Sequence, residues 1–317
     1  MACTNKITTM GQLYYINGNT LIQPNGIKIN KKCLRIGVPE KYKLPDIIEI
    51  KITNKCVRSC IRCSEKSNEC GENKILPDLY TKLSKLPDYP YVFVISGGCI
   101  LENLRGFYEV CKFLVDKFSR TTICVKIDLI DIVRINNLPT SFGRYLTNAF
   151  LDYPGFYCVS LNNIYCCEIS ELHNLVNRVD KYNFSWGRNT VFKFDYTTVP
   201  FEMIIKLMED TTKGSIMIVE GGFNNSNNRD KIYKYLEEQR LRCVKPNLWF
   251  DQDAYSQLCL DEFLLPTEKS TYSLGWDNYI YIDSVSGMYR KSRLGENTSW
   301  DNLEILDYYG GKNTSDK

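Results

Sequence analysis

Three thiols fall within the eight residues 56–63: Cys56, Cys60 and Cys63, in the run Cys56-Val57-Arg58-Ser59-Cys60-Ile61-Arg62-Cys63, with Cys70 a little further on. Side chains this close on one loop can converge on a single metal centre. Thiolates are soft ligands and select zinc or an iron–sulfur cluster. A structural zinc wants four ligands, for which Cys70 is available. A [4Fe–4S] cluster also usually takes four cysteines; held by three, it leaves one iron open to bind something else. The remaining cysteines of the 14 are mostly scattered. Cys111, Cys124, Cys158, Cys166 and Cys243 have apolar neighbours, where a free thiol behaves as a small hydrophobe.

Composition bounds the rest. The 317 residues are 44% hydrophobic, 13% aromatic and 24% charged, an ordinary globular balance that excludes intrinsic disorder. A net charge of +3 is too weak to argue for nucleic acid as a partner. No apolar run approaches the ~18 residues of a membrane span, and the polar start MACTNKITTM reads as neither signal nor transit peptide. A soluble, cytoplasmic protein is expected. In that reducing compartment the cysteines are not a disulfide framework.

The elements that must position the thiols follow from periodicity. Short β-rich runs cover 48–53, 91–96, 123–129, 156–161, 191–196 and 215–220. Several read as near-continuous apolar stretches, as parallel strands covered on both faces do. Helical patterns alternate with them. Over 103–118, Leu104, Phe107, Cys111, Leu114 and Phe118 form one apolar stripe. Further helices are expected over 168–180, over 200–210, where Pro200 opens the pattern, and from Arg229 behind the loop 221–228. Six strand–helix repeats imply an α/β fold whose parallel sheet forms either a full eight-stranded barrel or, as expected here, a partial (β/α)6 TIM-like barrel, with ligand sites at the carboxyl ends of its strands. Residues 1–44 read as an N-terminal β-hairpin extension with turns at Asn17-Gly18 and Asn25-Gly26, 45–242 as the barrel, and 243–317 as a C-terminal extension. That extension contains a strand over Tyr279–Asp283, a turn at Ser286-Gly287 and a polar tail over 310–317.

The spacing C-x3-C-x2-C just after a first strand, Glu49-Ile50-Lys51-Ile52-Thr53-Asn54-Lys55-Cys56, resembles the radical S-adenosylmethionine (radical SAM) superfamily over roughly residues 45–242. One strand later, Val92-Phe93-Val94-Ile95-Ser96-Gly97-Gly98 is similar to that family's Gly-Gly stretch, where glycine lets backbone approach a ligand closely. The resemblance implies that Cys56, Cys60 and Cys63 hold three irons of a [4Fe–4S] cluster while SAM chelates the fourth. Reductive cleavage of SAM then yields a 5′-deoxyadenosyl radical, which abstracts hydrogen from the substrate. A low-potential donor, flavodoxin or ferredoxin, supplies the electron.

Site residues are implied in the same way. Ser96, Gly97 and Gly98 would meet the methionine amino group. Arg62 stands where the family commonly has an aromatic residue, and its guanidinium plane can stack on adenine. Asp128, Ser160 and Asn162, at later strand ends, are implied as SAM contacts, and Asp195 and Glu220 as candidate catalytic groups. Cys99 takes the place of the family's acidic residue, with Glu102 the nearest carboxylate. His173 lies in a helix pattern and reads as surface. The run from Tyr279 to Arg290 resembles the strand–turn–strand of peptide-modifying members, but no cysteine occurs after Cys259 to hold an auxiliary cluster. Arg290, Lys291 and Arg293 read as a solvated turn. A peptide or protein side chain is therefore the expected substrate. The alternatives are a nucleotide or modified-base precursor, or a non-catalytic zinc module using Cys56, Cys60, Cys63 and Cys70.

Overall fold

The computed structural model describes residues 15–17, 20–22, 28–30, 45, 47–58, 60, 63, 65–88, 91–119, 121–131, 155–161, 189–197, 199–210, 216–220, 228–242, 248–250, 254, 257–263, 279–291 and 296–302. Arg62, Asn162, Cys166, Cys243 and Arg293 lie outside these residues, as do the expected helix over 168–180 with His173, the loop 221–227 and the tail 310–317.

Near the N-terminus, β1 (Tyr15–Asn17), β2 (Thr20–Ile22) and β3 (Lys28–Asn30) form a three-stranded antiparallel sheet. The main sheet begins with β4 (Ile47–Lys51) and β5 (Val92–Ser96), and continues through β6 (Thr122–Asp128), β7 (Gly155–Ser160), β8 (Asn189–Asp195) and β9 (Ile216–Glu220). All six expected strands pair in parallel with their sequence neighbours. Two more parallel strands extend the sheet. β10 (Leu248–Phe250) pairs with β9, and β11 (Tyr279–Asp283) returns to the other side of β4. β12 (Met288–Arg290) and β13 (Thr298–Ser299) then add antiparallel. Among the described residues no ladder joins β10 to β13, so the sheet stays open, a partial barrel.

Helices cover one face. The stripe on α2 (Leu104–Lys117) is as expected: Phe107, Cys111 and Leu114 are buried, with Phe118 just beyond. Asn103 caps this helix by accepting from the Gly106 amide at 3.1 Å. α1 (Asp78–Ser84), which buries Leu79 and Leu83, is absent from the sequence reading because its two turns are too short to show a period. α3 (Phe201–Asp210) and α4 (Asn228–Leu241) bury Phe201, Ile204, Ile232 and Leu236.

The sheet has two different faces. Ile48, Ile50, Phe93, Ile95, Ile123, Val125, Ile127, Phe192, Phe194, Ile280 and Ile282 join the helices in one apolar core. Alternation sends Glu49, Lys51, Ser96, Lys126, Asp128, Lys193, Asp195, Tyr279, Tyr281 and Asp283 to the other face. The strands are thus less uniformly apolar than their composition suggests, because the inner face carries charge. At its centre Lys126 donates to both carboxylate oxygens of Glu49, at 2.8 and 2.7 Å, and the Tyr279 hydroxyl donates to the same carboxylate at 2.7 Å. Burial pushes the Glu49 carboxyl up, but the charge and hydrogen bonds of Lys126, with help from Tyr279, hold it below the usual carboxylate value.

Replacing Lys126 by Met strands a buried carboxylate. Lys126→Met is expected to cost about 3–5 kcal/mol in urea unfolding, most of it recovered in the double variant Glu49→Leu/Lys126→Met. Because the Glu49 carboxyl is held low, its stabilisation is present above the ordinary carboxylate range and lost as pH falls through the lowered value. The Lys126→Met chain should lack that part of the acid transition.

Candidate metal and cofactor site

The cysteine loop leaves the carboxyl end of β4 and is closed at its base by backbone hydrogen bonds. Cys56 N–H donates to the Asn68 carbonyl at 2.8 Å, Asn68 N–H to Asn54 at 3.1 Å, and Asn54 N–H to Glu72 at 2.8 Å. Lys55 and Asn68 also form a parallel bridge. Cys56, Cys60 and Cys63 all lie inside this closure. Cys56 is buried and the other two are half-buried. Cys70 lies beyond Asn68, between it and the outermost Asn54–Glu72 bond, and is exposed, with its amide tied to the Asn68 side chain at 3.0 Å.

The Ser96-Gly97-Gly98 turn at the end of β5 packs directly on the root of the loop. Gly98 N–H donates to the Thr53 carbonyl and Cys99 N–H to the Lys55 carbonyl, both at 2.9 Å. A Cβ on Gly98 would sit 2.2 Å from the Lys55 oxygen, and one on Gly97 would sit 2.6 Å from the Thr53 oxygen. Gly97 also holds φ at +142°, outside the range that side chains favour. What approaches these glycines is the root of the chain's own cysteine loop.

Arg58 joins the parts. Its Nε donates to Cys56 Sγ at 3.3 Å and its Nη2 to the Gly98 carbonyl. Nη1 lies 2.9 Å from Asp131 and 3.4 Å from Asp128. Burial disfavours the cation, but the two carboxylates outweigh that and push the guanidinium pKa further up, so it stays charged. Arg62 is the arginine of this run to which the family resemblance points, and nothing in the sequence marks Arg58 or Asp131. An arginine two positions after a cysteine carries no local signal of what it will meet.

The remaining candidates share the carboxyl edge of the sheet. Asp128 pairs in register with Ser160, and Asp195 with Glu220. Asp128 is buried against Arg58, and its Oδ1 accepts from the Ile130 amide at 3.0 Å. Asp195 Oδ1 accepts from the Thr197 amide and hydroxyl at 2.8 and 2.7 Å, which shapes the end of β8. Glu102 lies 3.9 Å from Lys55. Arg290 is not part of a solvated turn: it is 8% exposed and donates to Glu65 at 2.9 Å. Burial, with a further push from Cys158, raises the Cys124 thiol well above its usual pKa.

The donor chemistry fits an iron–sulfur cube. Three soft ligands rise from one closed loop, and the Arg58 guanidinium donates to the Cys56 sulfur. Among the described residues no three His, Cys, Asp or Glu side chains gather round a point that one metal ion could occupy. A cube binds each thiolate through a different iron and does not need that convergence.

Substituting Gly98 should disturb the thiols themselves. Gly98→Ala drives a methyl into the Lys55 carbonyl and is expected to cost about 1–3 kcal/mol. Thermal unfolding, together with iron content after anaerobic reconstitution, reads the effect; unchanged values for both would show that the contact relaxes freely.

No protein-family model and no curated protein matches the sequence. Two solved structures of SuiB from Streptococcus suis match the fold. SuiB bound to the precursor peptide SuiA gives a TM-score of 0.55 at 13% identity, covering 86% of this chain and 67% of SuiB. SuiB bound to S-adenosylmethionine gives 0.54 at 14% identity over the same 86% and 67%. The likeness is one of fold, and the expected partial barrel is the architecture this chain adopts.

Proposed function

We propose that this chain is a radical SAM enzyme with one [4Fe–4S] cluster, acting on a side chain of a peptide or protein. The observation that carries the reading is the juxtaposition of three thiols on one closed loop with a Gly-Gly turn, at adjacent strand ends of a barrel shared with a SAM-binding protein. Cys56, Cys60 and Cys63 would ligate the cluster. When bound and reduced, it supplies the electron that cleaves the SAM sulfonium, giving the 5′-deoxyadenosyl radical that takes hydrogen from the substrate.

The protein's own groups bind and orient. The carboxyl ends of β5 to β7, bearing Ser96, Gly97, Gly98, Asp128 and Ser160, are the proposed seat of SAM, with Arg62 and Asn162 assigned to it by resemblance. Gly98 has both backbone polar groups engaged within the chain, so its part is to hold the loop. Asp195 and Glu220, in register on β8 and β9, are the candidate groups toward the substrate. Support for a peptide comes from SuiB, which was captured with its precursor peptide on the same fold. A flavodoxin or ferredoxin would deliver the electron, in the cytoplasm. Among the described residues no helix is long and apolar enough to cross a membrane.

Cys56→Ala, Cys60→Ala and Cys63→Ala should each abolish the brown colour, the iron and sulfide content and SAM cleavage, while Cys70→Ala keeps all of them. Loss with Cys70→Ala as well would overturn the three-ligand assignment, and a colourless chain carrying zinc would establish the metal-module alternative. Transfer of deuterium from labelled candidate peptides into 5′-deoxyadenosine identifies the substrate, and label arriving only from nucleotides would move the assignment to that class.

A further inference from the structure

The far end of the cysteine loop turns sharply just after its last thiol. Lys66 N–H donates to the Cys63 carbonyl at 3.2 Å, and Lys66 takes φ of +50°, the left-handed region. Glu65 sits inside this turn, and its carboxylate is met from three strands. Arg290 on β12 donates to it at 2.9 Å, the Tyr281 hydroxyl on β11 donates to it, and Lys51 at the end of β4 lies 3.5 Å away. Lys51 also donates to the Glu65 backbone carbonyl at 3.3 Å and lies 3.2 Å from Asp283. The Arg290 guanidinium stacks on the Tyr281 ring, 3.7 Å from its centroid. Two hydrogen-bond donors and one ammonium, from separate strands, converge on one carboxylate two residues after Cys63, while the backbone bonds at the loop's base hold only its root.

We propose that Glu65 is the positioning residue of the cysteine loop, anchoring its outer end to the β11–β12 hairpin, which is thereby a wall of the metal site. The hairpin's buried arginine serves the loop and does not reach for substrate. This role rests on the cluster assignment only for its second readout; the first concerns the loop alone.

Hydrogen–deuterium exchange of the full-length, metal-free chain reads the anchor directly. Glu65→Gln removes the charge at constant shape, and Arg290→Met removes the hairpin's donor. Each should speed exchange of the amides over 56–68 roughly tenfold, the factor for one lost charge-assisted hydrogen bond, and leave those of α2 protected. The exposed Lys291→Gln serves as the neutral control. After anaerobic reconstitution both variants should release iron to a chelator faster by a similar factor. Parent-like exchange over 56–68 overturns the proposal. Faster exchange spread equally through α2 and β5 also overturns it, since Glu65 would then be a general stabiliser. If the parent takes up no iron, the cluster assignment fails, and the exchange result alone still decides the anchor.

Discussion

Where β4 ends, its chain keeps running beside β5 for several residues. Ile52 N–H donates to the Ser96 carbonyl, Gly98 N–H to Thr53 and Cys99 N–H to Lys55, all at 2.9 Å. Two backbones this close leave no room for a Cβ on Gly97 or Gly98. Glycine here widens the conformations open to the unfolded chain, an entropic cost of folding that the close approach justifies. The approach roots the cysteine loop in the rigid edge of a parallel sheet, so Cys56 starts from a fixed position. Asn103 adds a second hold, donating to the Ile52 and Asn73 carbonyls at 2.8 Å while capping α2. Strand end, helix start and loop root are thereby one unit.

Stability and chemistry are divided between the two faces of that sheet. The helix-covered face buries aliphatic and aromatic side chains, including the mutually packed rings of Tyr91, Phe93 and Phe118, and supplies the hydrophobic driving force. The inner face places Glu49, Lys51, Lys126, Asp128 and Asp283 in hydrogen-bonded pairs and triads. Buried pairs of this kind return little more than their desolvation cost, so they do not hold the fold together. What they do is order the polar face of the sheet, which Lys51 and Asp128 tie to Glu65 and Arg58 of the cysteine loop. Burial, together with the carboxylates of Glu49 and Glu65, pushes the Tyr279 and Tyr281 phenols well above their usual pKa, so both remain donors.

Much of this was open to reading along the chain. Ile48, Ile50 and Ile52 alternating with Glu49 and Lys51 mark a strand, and the stripe from Leu104 to Phe118 marks the helix behind it. Cys56, Cys60 and Cys63 stand out as candidate ligands by spacing alone. The short helix α1 left no periodic trace. β11 was recognised as a strand, but its parallel place beside β4, more than two hundred residues earlier in the chain, was not written in its own residues. Arg290 illustrates the difficulty. Beside Lys291 and Arg293 it looks like a solvated basic turn, yet β12's register carries it under Tyr281 and onto Glu65, 225 positions away.

The sequence by itself determined the first six parallel strands, their alternation with helices, and the three thiols that follow the first of them. These depend on side-chain periodicity and on spacings of a few residues, which the backbone converts directly into faces and loops. Only the tertiary structure decided that Arg58 meets the Cys56 sulfur, that the glycines receive the loop, and that Glu65 is held by the last hairpin. Those meetings depend on strand register and sheet curvature, which are set by the whole core and by no local run of residues.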